Sequence, residues 1–291
     1  LRLTNFNDQS GWAANARLSA KLADLGMVTV AGTTITPGFG SIEKKVNERS
    51  KETVYQYDIN STLELGKFFP ASFNIKIPMF IGFGESMANP QYNPLDPDIL
   101  LDDALRNASE RERDSIKRIA QDYTRRRSIN FTNVKIDKMG SKPRLWDPAN
   151  ISVSYSYSEI FSRNVRIDHR IQRNIRGAFT YNYNRQPKYI SPFSKIKWLN
   201  SSYLALIRDF NFNLFPTQLS FRTDLNRNYF EQQFRNIQNP NQVFLPTFSK
   251  DFMWNRNYSL NWDITQSVKF DFVATATARI DEPEGMVDRY R

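Results

Sequence analysis

The chain has 291 residues, 14% of them aromatic, with 22 Phe and 13 Tyr: material for one large or two average domains, and too rich in rings for a disordered polymer. It holds no cysteine, which excludes disulfide frameworks, zinc–thiolate centres and thiol nucleophiles, and suits an oxidising compartment. A formal charge of +10 with a pI near 9.7 favours acidic partners, whether nucleic acid, anionic lipid and lipopolysaccharide, or acidic protein surfaces.

The first residues, LRLTNF, carry neither Met nor a charged-then-apolar leader, and read as an internal piece of something longer. Alternation begins at Trp12, with Ala14, Ala16, Leu18, Ala20 and Leu22 opposite Asn15, Arg17, Ser19 and Lys21, the period of a strand with two unlike faces. PGFGSIE (37–43) lacks the phosphate-loop pattern, so Gly38 and Gly40 read as turn glycines. From Thr53 to Leu65 alternation resumes, with Tyr55, Tyr57, Ile59, Leu63 and Leu65 against Gln56, Asp58, Asn60, Thr62 and Glu64. GKFFPAS then leads into a strand over 73–83; proline cannot donate to a ladder and belongs at a strand end.

NPQYNPLDPD (89–98) is a proline-rich turn, and 99–127 reads as a helix on the spacing of Leu101, Leu105, Ala108, Ile116, Ile119 and Tyr123, with Asp96 or Asp98 as its cap. The acidic set Asp96, Asp98, Asp102 and Asp103 lacks the glycine and distal glutamate of a calcium loop, so capping explains it better. ISVSYSYSE (151–159) alternates, with Ser at every even position to 158, and 171–183 repeats the pattern, ending GAFTYNYN. The sole histidine, His169, has only Asp168 beside it and reads as a solvated or lumen-facing residue rather than a catalytic base. Phe210 and Phe212 alternate with Asn211 and Asn213 in an expected strand over 208–214, and FPTQ repeats the Phe-Pro junction before Leu219, Phe221 and Leu225. Segments 185–202 and 236–250 read as long loops, and 268–280 as a last strand. The end, GMVDRYR, lacks an aromatic finish and suggests continuation.

Mean hydropathy is −0.58, and the longest apolar runs, Pro78 to Phe83 and Tyr203 to Ile207, fall far short of the roughly 20 residues a membrane helix needs. A transmembrane barrel alternates its apolar residues and keeps a low average. Soluble strands average about 5–6 residues, whereas a tilted strand crossing a bilayer needs about 9–11. Several runs here hold the longer span, which favours a membrane barrel over a soluble, secreted, adhesin-like binding sheet. The basic residues interleave with aromatics, but the aromatics keep step with strand periodicity, placing them in a core or in lipid rather than against nucleic acid.

Four stretches, PGFGSIEKKVNERS (37–50), NPQYNPLDPDILL (89–101), ANISVSYSYSEIFSRNV (149–165) and RDFNFNLFPTQLSFRTDLNRNY (208–229), resemble the SprA/Sov family, the outer-membrane translocon of the type IX secretion system of Bacteroidetes. The resemblance implies an all-β segment of one very large antiparallel transmembrane β-barrel, divided as strands over 1–88, the turn and helical insertion over 89–127, and strands over 128–291. It implies export of folded cargo proteins bearing a C-terminal sorting domain, with gliding motility in some members. The partners implied are a smaller cargo-receiving outer-membrane barrel, a periplasmic plug and a periplasmic prolyl isomerase, with no catalytic residues and no cofactor. Joined to the alternation, it leads to a wet passage lined by Ser152, Ser154, Ser156, Ser158, Asn182, Asn184, Asn211 and Asn213, with Ile151, Val153, Tyr155, Tyr157, Phe179, Tyr181, Phe210 and Phe212 toward lipid. With the GKFFPAS turn on the periplasmic side, the 89–127 insertion is expected outside the cell.

Overall fold

The computed structural model describes residues 2–6, 9–39, 51–137, 144–194, 196, 201–239, 242–283 and 285. In chain order its elements are β1 (Arg2–Phe6), β2 (Gln9–Leu22), β3 (Gly26–Ile35), β4 (Glu52–Glu64), β5 (Ile75–Lys76), β6 (Pro78–Pro90), β7 (Tyr92–Asn93), β8 (Asp96–Leu100), α1 (Leu101–Asn107), α2 (Glu110–Ala120), β9 (Asp122–Ile136), β10 (Ile151–Arg163), β11 (Ile167–Asn184), α3 (Ala205–Arg208), β12 (Gln218–Phe234), β13 (Thr247–Asp263) and β14 (Lys269–Arg279). The long strands form one antiparallel meander, β1-β2-β3-β4-β6-β9-β10-β11-β12-β13-β14, with β5 added beside β9 and β7–β8 as a separate ribbon. The sheet is open: β1 and β14 are each paired on one side only. The fold is therefore all-β with a helical insertion.

Strand length follows from alternation, and strand ends follow from local turn chemistry. Between β10 and β11 the Asn164 side chain accepts from the amides of Arg166 (3.0 Å) and Ile167 (2.8 Å), closing a tight turn. Between β13 and β14 the Thr265 hydroxyl accepts from the Val268 amide at 2.8 Å. Gly26 opens β3 at φ +153°, where a Cβ would stand 1.9 Å from the Thr62 carbonyl oxygen, so no other residue fits.

No second layer packs on this sheet among the described residues. The buried apolar side chains there are Leu101, Ala120, Ile167, Tyr183 and Tyr229, and the first two belong to the helical insertion. The chain exposes 20458 Å², whereas a compact monomer of its mass exposes about 12,800 Å². A sandwich would hide one whole face of each sheet; here both faces lie open.

The register staggers steadily. One cross-strand row runs Leu22, Gly26, Leu63, Met79, Phe131, Tyr155, Gly177, Leu225, Trp254, Ala278. It starts on the last residue of β2 but meets β13 nine residues before that strand ends at Asp263. The row takes eight steps from strand to strand to get there. If the hairpins at this end lie at one level, roughly 3.4 Å per residue and roughly 4.8 Å between strands give a strand tilt of about 40°. Closed barrels tilt their strands about 35–45° through such a stagger.

Three expectations from sequence differ from the structure. The helix over 99–127 is two short helices: Ser109 interrupts it and starts α2, and from Asp122 the chain is already β9, because DYTRRRSIN alternates. Neither Asp96 nor Asp98 caps α1, which begins after Leu100 without a side-chain cap. The strand over 208–214 is absent: the described residues of the 185–217 connection hold a 3-10 turn (Ser202–Leu204), α3 and the bridge Ile190–Phe212. Strands β3 and β13 are additional, and β13 starts inside the expected 236–250 loop. The PGFGSIE turn is described only to Phe39, with Gly38 at φ +82°; the remainder lies outside the described residues.

Candidate functional site: two faces and a charged belt

Direct cross-strand partners share a face, so the register sorts every side chain of the sheet. One face carries Leu18 and Val30 of β2 and β3, Tyr55 and Ile59 of β4, and Ile81 of β6. It continues with Ile129 of β9, then Ile151, Val153, Tyr155 and Tyr157 of β10. Phe179 and Tyr181 of β11, Phe221 and Leu225 of β12, Tyr258 of β13, and Phe270 and Phe272 of β14 complete it. Most of these large apolar side chains are exposed, Leu18 to 70%. Phe221 stacks between Phe179 (centroids 6.2 Å) and Tyr258 (5.0 Å), so the band is laterally packed yet open outward.

The opposite face is polar, and cross-strand hydrogen bonds lace it together. Asn174 donates to Asn228 at 2.7 Å, Ser220 to Asn182 at 2.7 Å and Arg170 to Gln232 at 2.9 Å. Ser152, Ser154, Ser156 and Ser158 lie here; the Ser154 hydroxyl accepts from the Asn133 amide at 2.8 Å and holds a bulge in β9. Ser154, Ser156, Arg176, Ala178, Arg222 and Asn226 help line a shallow depression of about 580 Å³ that spans β9 to β12. Some charges on this face are paired: Arg222 clasps Asp224 through two nitrogens (2.7 and 2.9 Å). Arg126 of β9 stands 3.7 Å from Asp58 of β4 although β6 runs between them. That reach depends on Gly84, the cross-strand partner of both. A Cβ there would sit 2.2 Å from the Asp58 carboxylate. The hydroxyl-and-amide face expected from ISVSYSYSE is thus a local stretch of a surface that also holds clamped ion pairs.

Toward the end of the sheet that bears the helical insertion, the apolar face becomes charged. Glu159, with 6% of its side chain exposed, accepts from Arg127 (2.7 Å), Arg173 (2.7 Å) and the Tyr157 hydroxyl (3.0 Å), with Arg125 at 3.7 Å. Glu85 accepts from the hydroxyls of Tyr57 and Tyr123, and Glu231 from Tyr229 at 2.7 Å. Arg125, Arg163 and Arg173 lie over the rings of Phe161, Tyr123 and Tyr229 at 5.5, 5.0 and 5.8 Å. His169 belongs to this belt, two residues before Ile171 on the same face, with Glu231 3.2 Å from Nε2 and Asp168 3.3 Å from Nδ1. His169 thus lies on the face that carries the apolar band, part-buried between two carboxylates.

Asn182 and Asn184 extend the polar face of β11, and Phe179 and Tyr181 the apolar one. Asn211, Asn213, Phe210 and Phe212 are not on the sheet. The Asn211 side chain accepts from the Gln266 backbone amide at 2.8 Å, and the backbone N–H of buried Asn213 donates to the Ile264 carbonyl at 2.8 Å. The two residues dock the 185–217 connection on the β13–β14 turn. The phenylalanine rings group in that connection with Phe193 (6.4 Å from Phe210). Both Phe-Pro junctions lie at this end of the sheet, where Phe68, Phe69, Phe73 and Phe215 are exposed.

At the other end, α2 starts with a reciprocal cap. The Ser109 hydroxyl and amide both donate to Glu112 (2.7 and 3.0 Å), and these bonds hold the Glu112 carboxyl below its ordinary range. No helix among the described residues is long and apolar enough to cross a membrane, which leaves crossing by strands open. None of the described His, Asp and Glu side chains gather in threes as a metal site would require. Residues 1–105 match the SprA_N family, described as motility related/secretion protein, a range that holds two of the four resembling stretches, 37–50 and 89–101. No curated protein matches the chain.

Proposed function

We propose that this chain, of SprA/Sov type by its first 105 residues, is a section of the wall of a large outer-membrane β-barrel through which folded proteins leave the periplasm. The apolar face meets lipid and the polar face lines an aqueous conduit. The observation that carries this reading is the uncovered single-layer sheet, whose apolar band is continuous across strands staggered for a tilt of about 40°. The exposed phenylalanines at the Phe-Pro end form an interfacial girdle.

A conduit for folded cargo works by failing to bind it. Asn, Ser and Thr offer hydrogen bonds that water satisfies equally, and the Arg–Asp pairs present little net field to a passing surface. Gating, cargo selection and energy come from partners: the cargo-receiving barrel, the plug and the prolyl isomerase that the family resemblance implies. With the Phe-Pro turns in the periplasm, the insertion over 91–121 lies outside the cell.

The absence of cysteine makes the test direct. In the whole protein, cysteines at Ser156, Ser158 and Asn182 should react with a membrane-impermeant maleimide when the conduit is open to water. Cysteines at Val153, Phe179 and Phe221 should be protected and quenched by lipid-borne quenchers. Equal reactivity on both faces in a water-soluble protein would overturn the barrel and favour a secreted binding sheet. A reconstituted protein freed of its partners that still blocks large polar solutes would overturn the conduit.

A further inference from the structure

The charged belt is out of balance where it meets the apolar band. Three guanidiniums, Arg125, Arg127 and Arg173, surround the single carboxylate of Glu159. Glu85, the cross-strand partner of Arg125, adds a second carboxylate, which also accepts from two tyrosine hydroxyls, so three guanidiniums face two carboxylates. The group keeps at least one positive charge without a counterion, and Arg125 Nε is buried with no hydrogen-bond partner. Arg127 presents 47% of its side chain outward. Solvated surface arginines need no explanation; arginines held by one shared glutamate at the upper margin of a bare apolar face do.

Directly below, along β11, the same face holds Ile175 and then Gly177. Gly177 sits between Tyr155 and Leu225, its cross-strand partners, both about two-fifths exposed. A Cβ at Gly177 would meet nothing within 4 Å, so backbone geometry does not explain the glycine; it leaves a slot in the apolar band. The slot is four residues from Arg173 along one strand, about 13 Å at roughly 3.3 Å per residue. Anion donors and an apolar slot thus lie in line, at the separation of a headgroup from the upper part of an acyl chain.

We infer that this is a binding site for a phosphate-bearing lipid, with the phosphate on Arg127 and Arg173 and one acyl chain along Ile175 into the gap at Gly177. Guanidinium suits the phosphate because its forked donors take two oxygens at once. The inference rests on the apolar face meeting lipid, and the membrane-bound fraction of the whole protein is therefore measured first. A water-soluble protein overturns that reading and this site together.

The test uses the whole protein, extracted in mild detergent and titrated separately with phosphatidylglycerol, phosphatidylcholine and inorganic phosphate, with bound lipid counted by native mass spectrometry. Phosphatidylglycerol should bind at least ten times more tightly than phosphatidylcholine. Arg127→Gln, which keeps a donor for Glu159, and Gly177→Leu, which fills the slot while keeping every charge, should each weaken it about tenfold. Gly177→Val should act likewise, guarding against a folding defect in the larger variant. Binding of phosphate alone with no effect at Gly177 would reduce the site to an anion contact and overturn the lipid. Equal binding of the two lipids would overturn the role of the arginines. A co-purifying protein displaced by Arg127→Gln, with lipid counts unchanged, would make the belt a protein interface and overturn the proposal.

Discussion

Two adjacent residues of β10 decide which face meets lipid. Val153 points to the apolar side, 44% exposed, and Ser152 to the polar side opposite Thr180. Val153 lies six residues along the strand from Glu159 of the charged belt. At roughly 3.4 Å per residue and a tilt of about 40°, that places it about 16 Å below the belt along the membrane normal, well inside an apolar band about 25 Å tall. An arginine there should cost about 2–3 kcal/mol, between the midplane and interfacial values for barrels, which lowers the ratio of inserted to uninserted protein by a factor of about 30 to 150. Ser152→Glu, beside Lys135 across β9, should change that ratio by less than about twofold. Exchanging the charges, Val153→Glu and Ser152→Arg, should preserve the order, because the face decides and not the sign. The assay is the fraction of whole protein that stays in the membrane pellet after a urea wash. Loss at Ser152 with tolerance at Val153 would turn the sheet inside out, and tolerance at both would refute lipid contact on this stretch.

Gly84→Leu should displace Asp58 and break its pairing with Arg126, costing about 1–2 kcal/mol by urea unfolding. Gly32→Ala, whose Cβ would meet only the Gln56 carbonyl oxygen at 4.0 Å, should be neutral or slightly stabilising, and equal costs at the two glycines would refute the role given to Gly84. Glu159→Gln should destabilise by about 2–3 kcal/mol, less than the roughly 3–5 kcal/mol for a fully broken buried pair because its arginines stay partly exposed; a loss below about 0.5 kcal/mol would show the belt to be incidental. Acid should loosen the start of α2. The Glu112 carboxyl titrates lower when folded, so its stabilisation is complete above the ordinary glutamate range and disappears as pH falls through the folded value. Amide exchange at 110–113 should therefore accelerate on acidification in the native protein and respond far less in Glu112→Gln, and a pH response unchanged by that substitution would refute the cap.

Alternation was legible wherever the two faces differ in kind. Residues 12–22, 53–64, 151–159 and 171–183 fall within β2, β4, β10 and β11 because each pairs rings or aliphatics with Ser, Asn or charge, and only Leu65, at the end of the second expected run, lies beyond its strand. β3 hid because GMVTVAGTTI, apart from Met27, is small or β-branched on both faces. β13 hid because Lys250 and Arg256 interrupt an otherwise regular Phe248, Phe252, Trp254, Tyr258, Leu260, Trp262 series. Those two cations stand where a strict apolar-out rule expects rings, yet Arg256 lies 4.2 Å over Trp254 and Lys250 6.0 Å over Phe248. The false strand at 208–214 shows the converse. Alternation requires only an extended chain, and here the asparagines bond to the β13–β14 turn instead of a ladder.

The belt was illegible for a different reason. Glu159, Arg127 and Arg173 are scattered over three strands, and each looks like an ordinary polar residue in its own segment. Only the register brings them into one row, Arg127–Glu159–Arg173. The same row places them on the apolar face, which single-strand reading forbids: Glu159 follows Ile151, Val153, Tyr155 and Tyr157 in step. Strands of 13 to 18 residues are longer than the roughly 9–11 a bilayer demands. In the proposed membrane wall the surplus stands clear of the hydrocarbon, and there a charged, ring-stacked belt on the outward face is the expected chemistry rather than an exception. The row at which charge begins also moves down the sheet, from Glu85 on β6 to Arg256 on β13. That drift follows the stagger of the hairpins, so both margins of the apolar band run oblique to the strands. Two features with no common local cause, turn positions and charge positions, give the same inclination, which is what a tilted sheet in a planar membrane requires.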